Sequence, residues 1–454
     1  MSIRPRRHGP VDRARILVRR HGPTAPVWRK RAATLSGAVA LGIVALLFAS
    51  IANQANHLFM RLYHAAWWAP LIVTPAGFVA LAWFTRTAAP DARGSGIPQI
   101  IAARYDPSGA MKTLASGKTA AVKFVLTIGG LLVGGSVGRE GPTVQISATI
   151  MAHVHRLFRV PLRASVMVAG GAAGVAAAFN TPIAGVTFAI EELASAYEQR
   201  MTLLVMTAVL ISGMVSLGLN GDYTYFGTVG ATLPLGQVIA VAPVAGLIGG
   251  LIGGLFARLM LGFGRSVSKP LVWLRSRPLA TALVMGSIVA AVGCAGGLTW
   301  GTGYEPARLI ITGVKAPVWF GPAKFVTTLA TSLSGLPGGI FAPSLAAGAG
   351  FGDLLSPLFP TAPVGCIVLL GMAGYFTGVV RAPLTAVVII SEATGSHSLM
   401  LPLLATALIA DWISAFVCKE RLYHGLSHDY QAKAAAAITS KGQTEKYQSL
   451  TGKP

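Results

Sequence analysis

Apolar stretches follow one another along most of this chain, with short polar segments between them, and this pattern constrains the fold more than any other feature. The longest lie near residues 34–52, 67–85, 118–137, 164–190, 202–219, 234–262, 278–300, 363–390 and 399–418. Only 11% of the 454 residues are charged, whereas a water-exposed globular protein is roughly 25% charged. Most of the outer surface must therefore face lipid, because about 20 apolar residues form a helix that crosses a bilayer core. The sequence predicts an all-α polytopic membrane protein.

The 37 basic residues outnumber the 15 acidic ones, and they concentrate at the chain ends and in short segments between apolar stretches. That distribution is typical of cytoplasmic loops, and no basic patch is interleaved with aromatics, so nucleic-acid binding is not expected. We expect residues 1–33 to form a basic cytoplasmic tail, 34–430 a transmembrane domain, and 431–454 a short cytoplasmic tail with no regulatory domain. A transit peptide would also be arginine-rich, but no small-residue cleavage site follows.

The chain contains an internal repeat with a constant offset of 201 residues. Lys123-Phe124-Val125 recurs as Lys324-Phe325-Val326, and the other matched pairs are Gly138/Gly339, Pro142/Pro343, Gly170/Gly371, Ala172/Ala373, Pro182/Pro383 and Glu191/Glu392. Transporters are often built from two such halves in inverted orientation. We therefore expect two inverted-repeat halves of tilted and broken helices, at about residues 34–225 and 234–430.

Each half carries a glycine-proline break at the same place. The breaks are Gly138-Arg139-Glu140-Gly141-Pro142 and Gly339-Ile340-Phe341-Ala342-Pro343, and a third segment with the same pattern is Gly94-Ser95-Gly96-Ile97-Pro98. Proline suits the first turn of a helix and the glycines allow a tight turn before it. A helix that begins inside the membrane exposes unpaired N–H groups and a partial positive charge, which favour a small anion.

The three segments, in this order and with these intervals, resemble the CLC family of chloride channels and proton-coupled chloride transporters. The resemblance covers roughly Thr34 to Tyr423. It implies a homodimer with one anion pathway in each subunit, in the inner membrane of a bacterium, with both termini cytoplasmic. It also implies that chloride is bound by the Ser95 hydroxyl, the backbone N–H groups of Ile340 and Phe341, and the phenol of Tyr423. Ser95, where relatives that prefer nitrate carry proline, favours chloride.

The resemblance further implies that Glu140 is the external gate, a carboxylate that competes with chloride and withdraws when protonated. Glu192 falls where the family's proton-transferring members carry an internal glutamate and its passive channels usually carry an uncharged residue. Having both acids favours a chloride/proton antiporter. The alternatives are a passive voltage- or pH-gated chloride channel on the same fold, a cation/proton antiporter, and an intramembrane enzyme, for which no Ser/His/Asp or HExxH arrangement is present.

The remaining ionisable residues are interpreted mainly as structural. Glu191 and Glu392 are repeat mates at helix ends, where capping or pairing is expected, and Arg139 is expected to anchor its loop or balance Glu140. Arg381 and Asp411 are expected to pair or to be interfacial. Lys123, matched by Lys324, is either structural or a source of positive potential. The histidines lack metal-ligand spacing, so no metal and no other cofactor is expected.

Overall fold

A computed structural model describes residues 25–193, 199–221 and 224–435. The regular structure in these ranges is helical apart from two isolated β-bridges. In chain order the helices are α1 Ala25–Ala65, α2 Pro70–Ala88, α3 Ile97–Ala103, α4 Pro107–Ala110, α5 Gly117–Leu132, α6 Glu140–Leu157, α7 Ala164–Phe179, α8 Pro182–Phe188, α9 Gln199–Asn220, α10 Leu235–Arg265, α11 Lys269–Ser276, α12 Pro278–Gly296, α13 Tyr304–Ile311, α14 Phe320–Leu333, α15 Phe341–Leu355, α16 Val364–Val380, α17 Pro383–Thr394, α18 Met400–Val417 and α19, residues 422–435. The predicted all-α polytopic fold is confirmed.

Six helical segments of the described chain are long and apolar enough to cross a membrane. They are Val27–Ala65, Pro70–Ala88, Thr202–Leu219, Leu235–Arg265, Pro278–Gly296 and His397–Val417. In each segment, between a quarter and a half of the apolar 18-residue stretch is buried inside the protein. The rest of that stretch is available to lipid. These helices surround a set of shorter apolar helices, among which α7 and α16 are almost entirely buried.

The expected domain boundaries fall inside helices. The first apolar run, residues 34–52, belongs to α1, which extends from Ala25 to Ala65 because no proline or glycine interrupts residues 53–65. The boundary at 33/34 therefore lies within α1, and the one at 430/431 lies within α19. The rest of the two expected tails, residues 1–24 and 436–454, lies outside the described residues.

The 201-residue repeat is present in the backbone conformation as well as in the sequence. Helices α7 and α16 each end at a non-glycine residue in the left-handed region, Asn180 with φ 57° and its repeat mate Arg381 with φ 62°. Gly134 and Gly335, another pair with this offset, have φ values of 81° and 82°. Matching turns of this kind require the same chain path in both halves, since left-handed backbone is uncommon outside glycine.

A local two-fold relation joins the halves. Glu191 accepts hydrogen bonds from Leu384 N at 2.9 Å and Thr385 N at 2.6 Å, at the start of α17. Its repeat mate Glu392 accepts from Ile183 N at 3.1 Å and Ala184 N at 2.8 Å, at the start of α8. Each half thus caps a helix of the other. The expected structural role of these two carboxylates is confirmed, because a carboxylate at a helix start satisfies N–H groups that the helix cannot.

Candidate ion-binding site

The three glycine-proline breaks meet at one place. Gly138 N donates to Gly339 O and Gly339 N donates to Gly138 O, both at 2.7 Å. The two repeat-equivalent segments are therefore antiparallel at this point and are joined by an isolated β-bridge. Beside them, Gly94 N donates to Leu336 O at 3.2 Å and Gly338 N donates to Gly94 O at 3.1 Å. The Gly94–Pro98 segment therefore packs against the second break, and the helix starts that follow the breaks are neighbours.

Two of these helix starts have no side-chain cap. Helix α6 begins at Glu140 and α15 begins at Phe341, and neither receives a capping hydrogen bond from the residue that precedes it. Within the described ranges, no backbone carbonyl accepts from Ile340 N or Phe341 N. Buried N–H groups are nearly always paired, so these two, at the positive end of a helix dipole, favour a negatively charged oxygen or a small anion.

Two buried hydroxyl groups lie beside these helix starts. Ser95 Oγ packs against Gly141, so closely that a Cβ at that glycine would overlap it. The Tyr423 phenol interacts with the Ser95 side chain, and its ring lies 5.9 Å from the Phe341 ring. Neither hydroxyl makes a hydrogen bond of normal geometry among the described residues. The site therefore presents neutral donors without a fixed cation at its centre.

Phe341 lies in an aromatic cluster as well as at a helix start. Its ring centroid is 5.0 Å from that of Phe376, 5.8 Å from Phe188 and 6.3 Å from Phe179, and the side chain is fully buried. Edge-to-face ring contacts at these distances are favourable. The Phe341 ring therefore packs in the protein interior while its backbone N–H remains at the start of α15, so a packing role of the ring is compatible with anion binding by the N–H.

The Glu140 carboxylate lies at the start of its own helix, fully buried. Its Oε1 atom accepts from the Tyr225 hydroxyl at 3.4 Å, the carboxylate interacts with the backbone of Ala342 at the opposite helix start, and Oε2 occupies the space that a Cβ on Gly138 would fill. Oε2 has no hydrogen-bond donor in the described part of the chain. The carboxylate is an anion held where an anion is favoured.

Arg139 lies within electrostatic range of the Glu140 carboxylate and makes its hydrogen bonds to α1. Its guanidinium donates to Ala49 O at 2.7 Å and to Asn53 Oδ1 at 2.9 Å, and it lies 5.8 Å from the centroid of the Tyr225 ring. The expectation that Arg139 anchors its loop is confirmed. Arg381 and Asp411 are paired at 3.1 Å, as expected. Lys123 donates to Gln145 Oε1 at 2.7 Å, which favours its structural interpretation.

Glu192 lies in a π-helical turn, Ala189–Leu193, that continues from α8. Such turns place side chains in positions that a regular helix does not reach, and they are frequent at functional sites. The Glu192 side chain is fully buried, and its Oε1 atom is 3.4 Å from His424 Nδ1. Tyr423, the neighbour of that histidine, is within electrostatic range of both Glu192 and Glu140, so both acids lie near its phenol.

Two residues near the site were not predicted from the sequence. Tyr225 lies in the irregular chain between α9 and α10, at the end of the first predicted half, where no repeat or motif marks it. His424 was considered only as a metal ligand, for which its spacing is unsuitable. Its position directly after Tyr423 was a signal that the residue would lie near the site.

These features define a helical membrane transport protein, built from two related halves whose helix starts meet in the interior. A sequence model of the family described as voltage-gated chloride channel matches residues 76–415, which is most of the chain. The protein belongs to this family, the CLC family, and the predicted resemblance is confirmed. A family member is a channel or a transporter of anions.

Three solved structures share the fold. The crystal structure of a slow cyanobacterial Cl–/H+ antiporter has a TM-score of 0.77 and 24% identity, covering 89% of this chain and 98% of the other. The crystal structure of a eukaryotic CLC transporter has a TM-score of 0.71 and 22% identity, covering 88% and 74%. That of a CLC-type fluoride/proton antiporter has a TM-score of 0.72 and 23% identity, covering 85% and 95%.

Proposed function

We propose that the protein is a secondary active transporter that exchanges chloride for protons across a membrane. The observation that carries this proposal is the presence of two fully buried carboxylates, Glu140 and Glu192, near one cluster of uncapped N–H groups and hydroxyls. An ionisable group within a membrane protein is costly to insert, by at least about 2.5–3.5 kcal/mol for an acid at a helix centre, and it usually has a transport role. A pathway for chloride alone needs no second buried acid.

In this proposal chloride binds at the start of α15. The N–H groups of Ile340 and Phe341 and the hydroxyls of Ser95 and Tyr423 would donate to it. Four neutral donors hold an anion firmly enough to replace water, yet without the full charge of an arginine or lysine, so the ion can leave again. The choice of serine at position 95 supports chloride as the physiological anion, since its hydroxyl is a donor and proline has none.

Glu140 would act as the external gate and as one proton site. As a carboxylate it occupies the space between the two helix starts, where it competes with chloride for the N–H groups. Protonation removes its charge and with it most of the attraction to the helix dipoles. The side chain then withdraws and chloride enters, which links one proton to the movement of chloride.

Glu192 would be the internal proton site. Its nearness to Tyr423 and to the partly exposed His424 supports a proton route that reaches the inner surface through this acid. An acid can take up and release a proton, whereas an aliphatic side chain cannot.

We also propose that the protein is a homodimer in a bacterial inner membrane, with both termini cytoplasmic and one pathway in each subunit. The short helices α8 and α17, neither of which can span the membrane alone, expose Ile183 and Leu384, and the π-helical turn after α8 exposes Ile190. Beside them α18 exposes Leu408, Trp412 and Phe416. An apolar face of this kind favours a protein partner. A monomeric mass for the purified protein in mild detergent, by light scattering, would contradict the dimer.

The transport proposal is tested in liposomes that contain the purified protein, with chloride and proton fluxes measured at the same time. An outward chloride gradient should drive protons inward against their own gradient. Chloride flux without uphill proton movement would identify a passive channel, the alternative on this fold. Uptake of labelled sodium would instead identify a cation exchanger.

Two variants test the residue roles. Glu140→Ala should leave chloride flux intact and abolish proton coupling, and Glu192→Gln should stop protons while chloride continues. Glu305→Gln is the matched control, because Glu305 is an exposed acid in the first turn of α13. Wild-type coupling in either test variant would remove that residue from the proton route.

A further inference from the structure

Helix α19 places an imidazole beside Glu192. His424 Nδ1 lies 3.4 Å from Glu192 Oε1, and the two side chains are 33% and 0% exposed. Neither Oε atom of Glu192 has a hydrogen bond that meets normal geometry within the described residues. The imidazole is therefore in contact with the buried carboxylate on one side and with the surface of the protein on the other.

The other charged groups nearby are engaged elsewhere. The Glu191 carboxylate caps α17, and Arg421 donates to the Glu191 backbone oxygen at 3.3 Å while lying in electrostatic range of Glu192. From the end of α3, Arg104 donates to Leu193 O at 2.6 Å. Farther out, Glu420 pairs with Arg265 of α10 at 2.5 Å and with His428 at 3.6 Å.

His424 is thus the titratable side chain that lies within ion-pair distance of Glu192 in the described part of the chain. Histidine is also the side chain that ordinarily exchanges protons between about pH 5 and 8. A carboxylate that is completely buried cannot collect protons from water directly, so it needs a carrier that reaches the surface. The position and the chemistry of His424 meet both requirements.

We infer that His424 is the proton relay between the inner aqueous phase and Glu192. This inference rests on the proposed function. A hydronium ion protonates the ring to imidazolium and becomes water. The Nδ1–H bond then breaks, and the proton forms an O–H bond with Glu192 Oε1. The ring is left neutral with its proton on Nε2, the carboxylate becomes a carboxylic acid, and a second hydronium ion returns a proton to Nδ1 and becomes water. Charge and protons balance in each step, and the reverse sequence releases protons.

The test compares His424→Gln with His428→Gln in the liposome assay with simultaneous chloride and proton fluxes. His428 lies one turn farther along α19, is 55% exposed and contacts Glu420 instead of Glu192, so its replacement removes an imidazole of the same helix without touching the acid. We expect His424→Gln to lower proton flux about tenfold or more, as for loss of a general acid or base, with chloride flux retained. His428→Gln should keep the wild-type ratio of protons to chloride.

A carboxylate at position 424 separates a relay from a structural role. His424→Glu should restore proton flux and should move its dependence on inner pH to lower values, since glutamic acid titrates at about pH 4.3 in its ordinary state. Wild-type coupling in His424→Gln, or a failure of His424→Glu to restore protons while chloride flux is normal, would overturn the relay. The proposed function fails separately, if the wild-type protein itself moves no protons uphill.

Discussion

Gly138 leaves the space that the gate carboxylate occupies, and Gly138→Ala tests the gate directly. A Cβ at this residue would overlap Glu140 Oε2, and it would lie 3.1 Å from Pro343 Cδ and 3.4 Å from Ala342 N. Gly138 is not among the glycines with positive φ, so alanine fits the backbone. The group that must move is the end of a flexible side chain, while the surrounding backbone remains in near-ordinary contact.

The size of the effect follows from the cost of that overlap. Inserting a methyl group into packed surroundings typically costs about 1–3 kcal/mol. If this cost falls on the closed position of the carboxylate, the ratio of open to closed gates rises about 5–150-fold. We therefore expect Gly138→Ala to raise chloride flux and to lower the number of protons moved per chloride at least several-fold, measured by simultaneous fluxes in liposomes.

Gly339→Ala is the matched control. Gly339 is the repeat mate of Gly138 and forms the other half of the same hydrogen-bonded bridge, but its Cβ would lie 2.9 Å from Gly141 N and 3.2 Å from Gly138 O. The nearest atoms are therefore backbone, so this variant strains the bridge, whereas Gly138→Ala displaces the carboxylate. Equal losses of coupling in both variants would show that the bridge matters and the gate does not. In a Glu140→Ala background Gly138→Ala should cause no additional change in chloride flux, and a further increase there would refute the reasoning.

Two further predictions concern stability. Glu191→Ala should destabilise the protein by roughly 2–4 kcal/mol, because it removes a helix cap and charge-assisted hydrogen bonds to Leu384 N and Thr385 N; chemical denaturation in detergent measures this, and a loss below about 0.5 kcal/mol would contradict the capping role. In α10, Gly249→Ala should also lower stability, since its Cβ would overlap the backbone of Gly374. Gly262→Ala, in the same helix, has no atom within 4 Å of its Cβ. It should therefore be neutral or stabilise the protein by up to about 1 kcal/mol. A similar melting temperature for the two glycine variants would refute the close approach of α10 and α16.

The sequence predicted the elements that depend on local chemistry. Proline shortly after glycine favours a helix start, so the starts at Ile97, Glu140 and Phe341 could be placed to within a residue or two. The constant offset of 201 predicted two related halves. It also identified Glu191 and Glu392 as structural, because a role that is repeated in both halves is required by the shared backbone.

Contacts that depend on distant parts of the chain could not be predicted in the same way. Tyr225 reaches Glu140 from a connecting segment, and His424 reaches Glu192 from a helix more than 200 residues away in sequence. Neither contact leaves a periodicity or a spacing, since each exists only after the halves have packed. The length of α1 was also underestimated, because hydropathy marks the apolar part of a helix and not its ends.

The repeat itself separates the structural acids from those proposed to move protons. Glu191 and Glu392 are equivalent, and both oxygens of each accept backbone hydrogen bonds. Glu140 is equivalent to Phe341, and Glu192 to Ala393, so neither has an acidic mate. In contrast to Glu191 and Glu392, these two acids have oxygens that lack a hydrogen bond of normal geometry in the described residues. Leaving a buried carboxylate oxygen unpaired costs free energy. The fold does not require an acid at either position, because the other half has a non-acidic residue at each equivalent position. The proposed transport cycle supplies the reason: an acid that must gain and lose a proton cannot be fully committed to fixed donors.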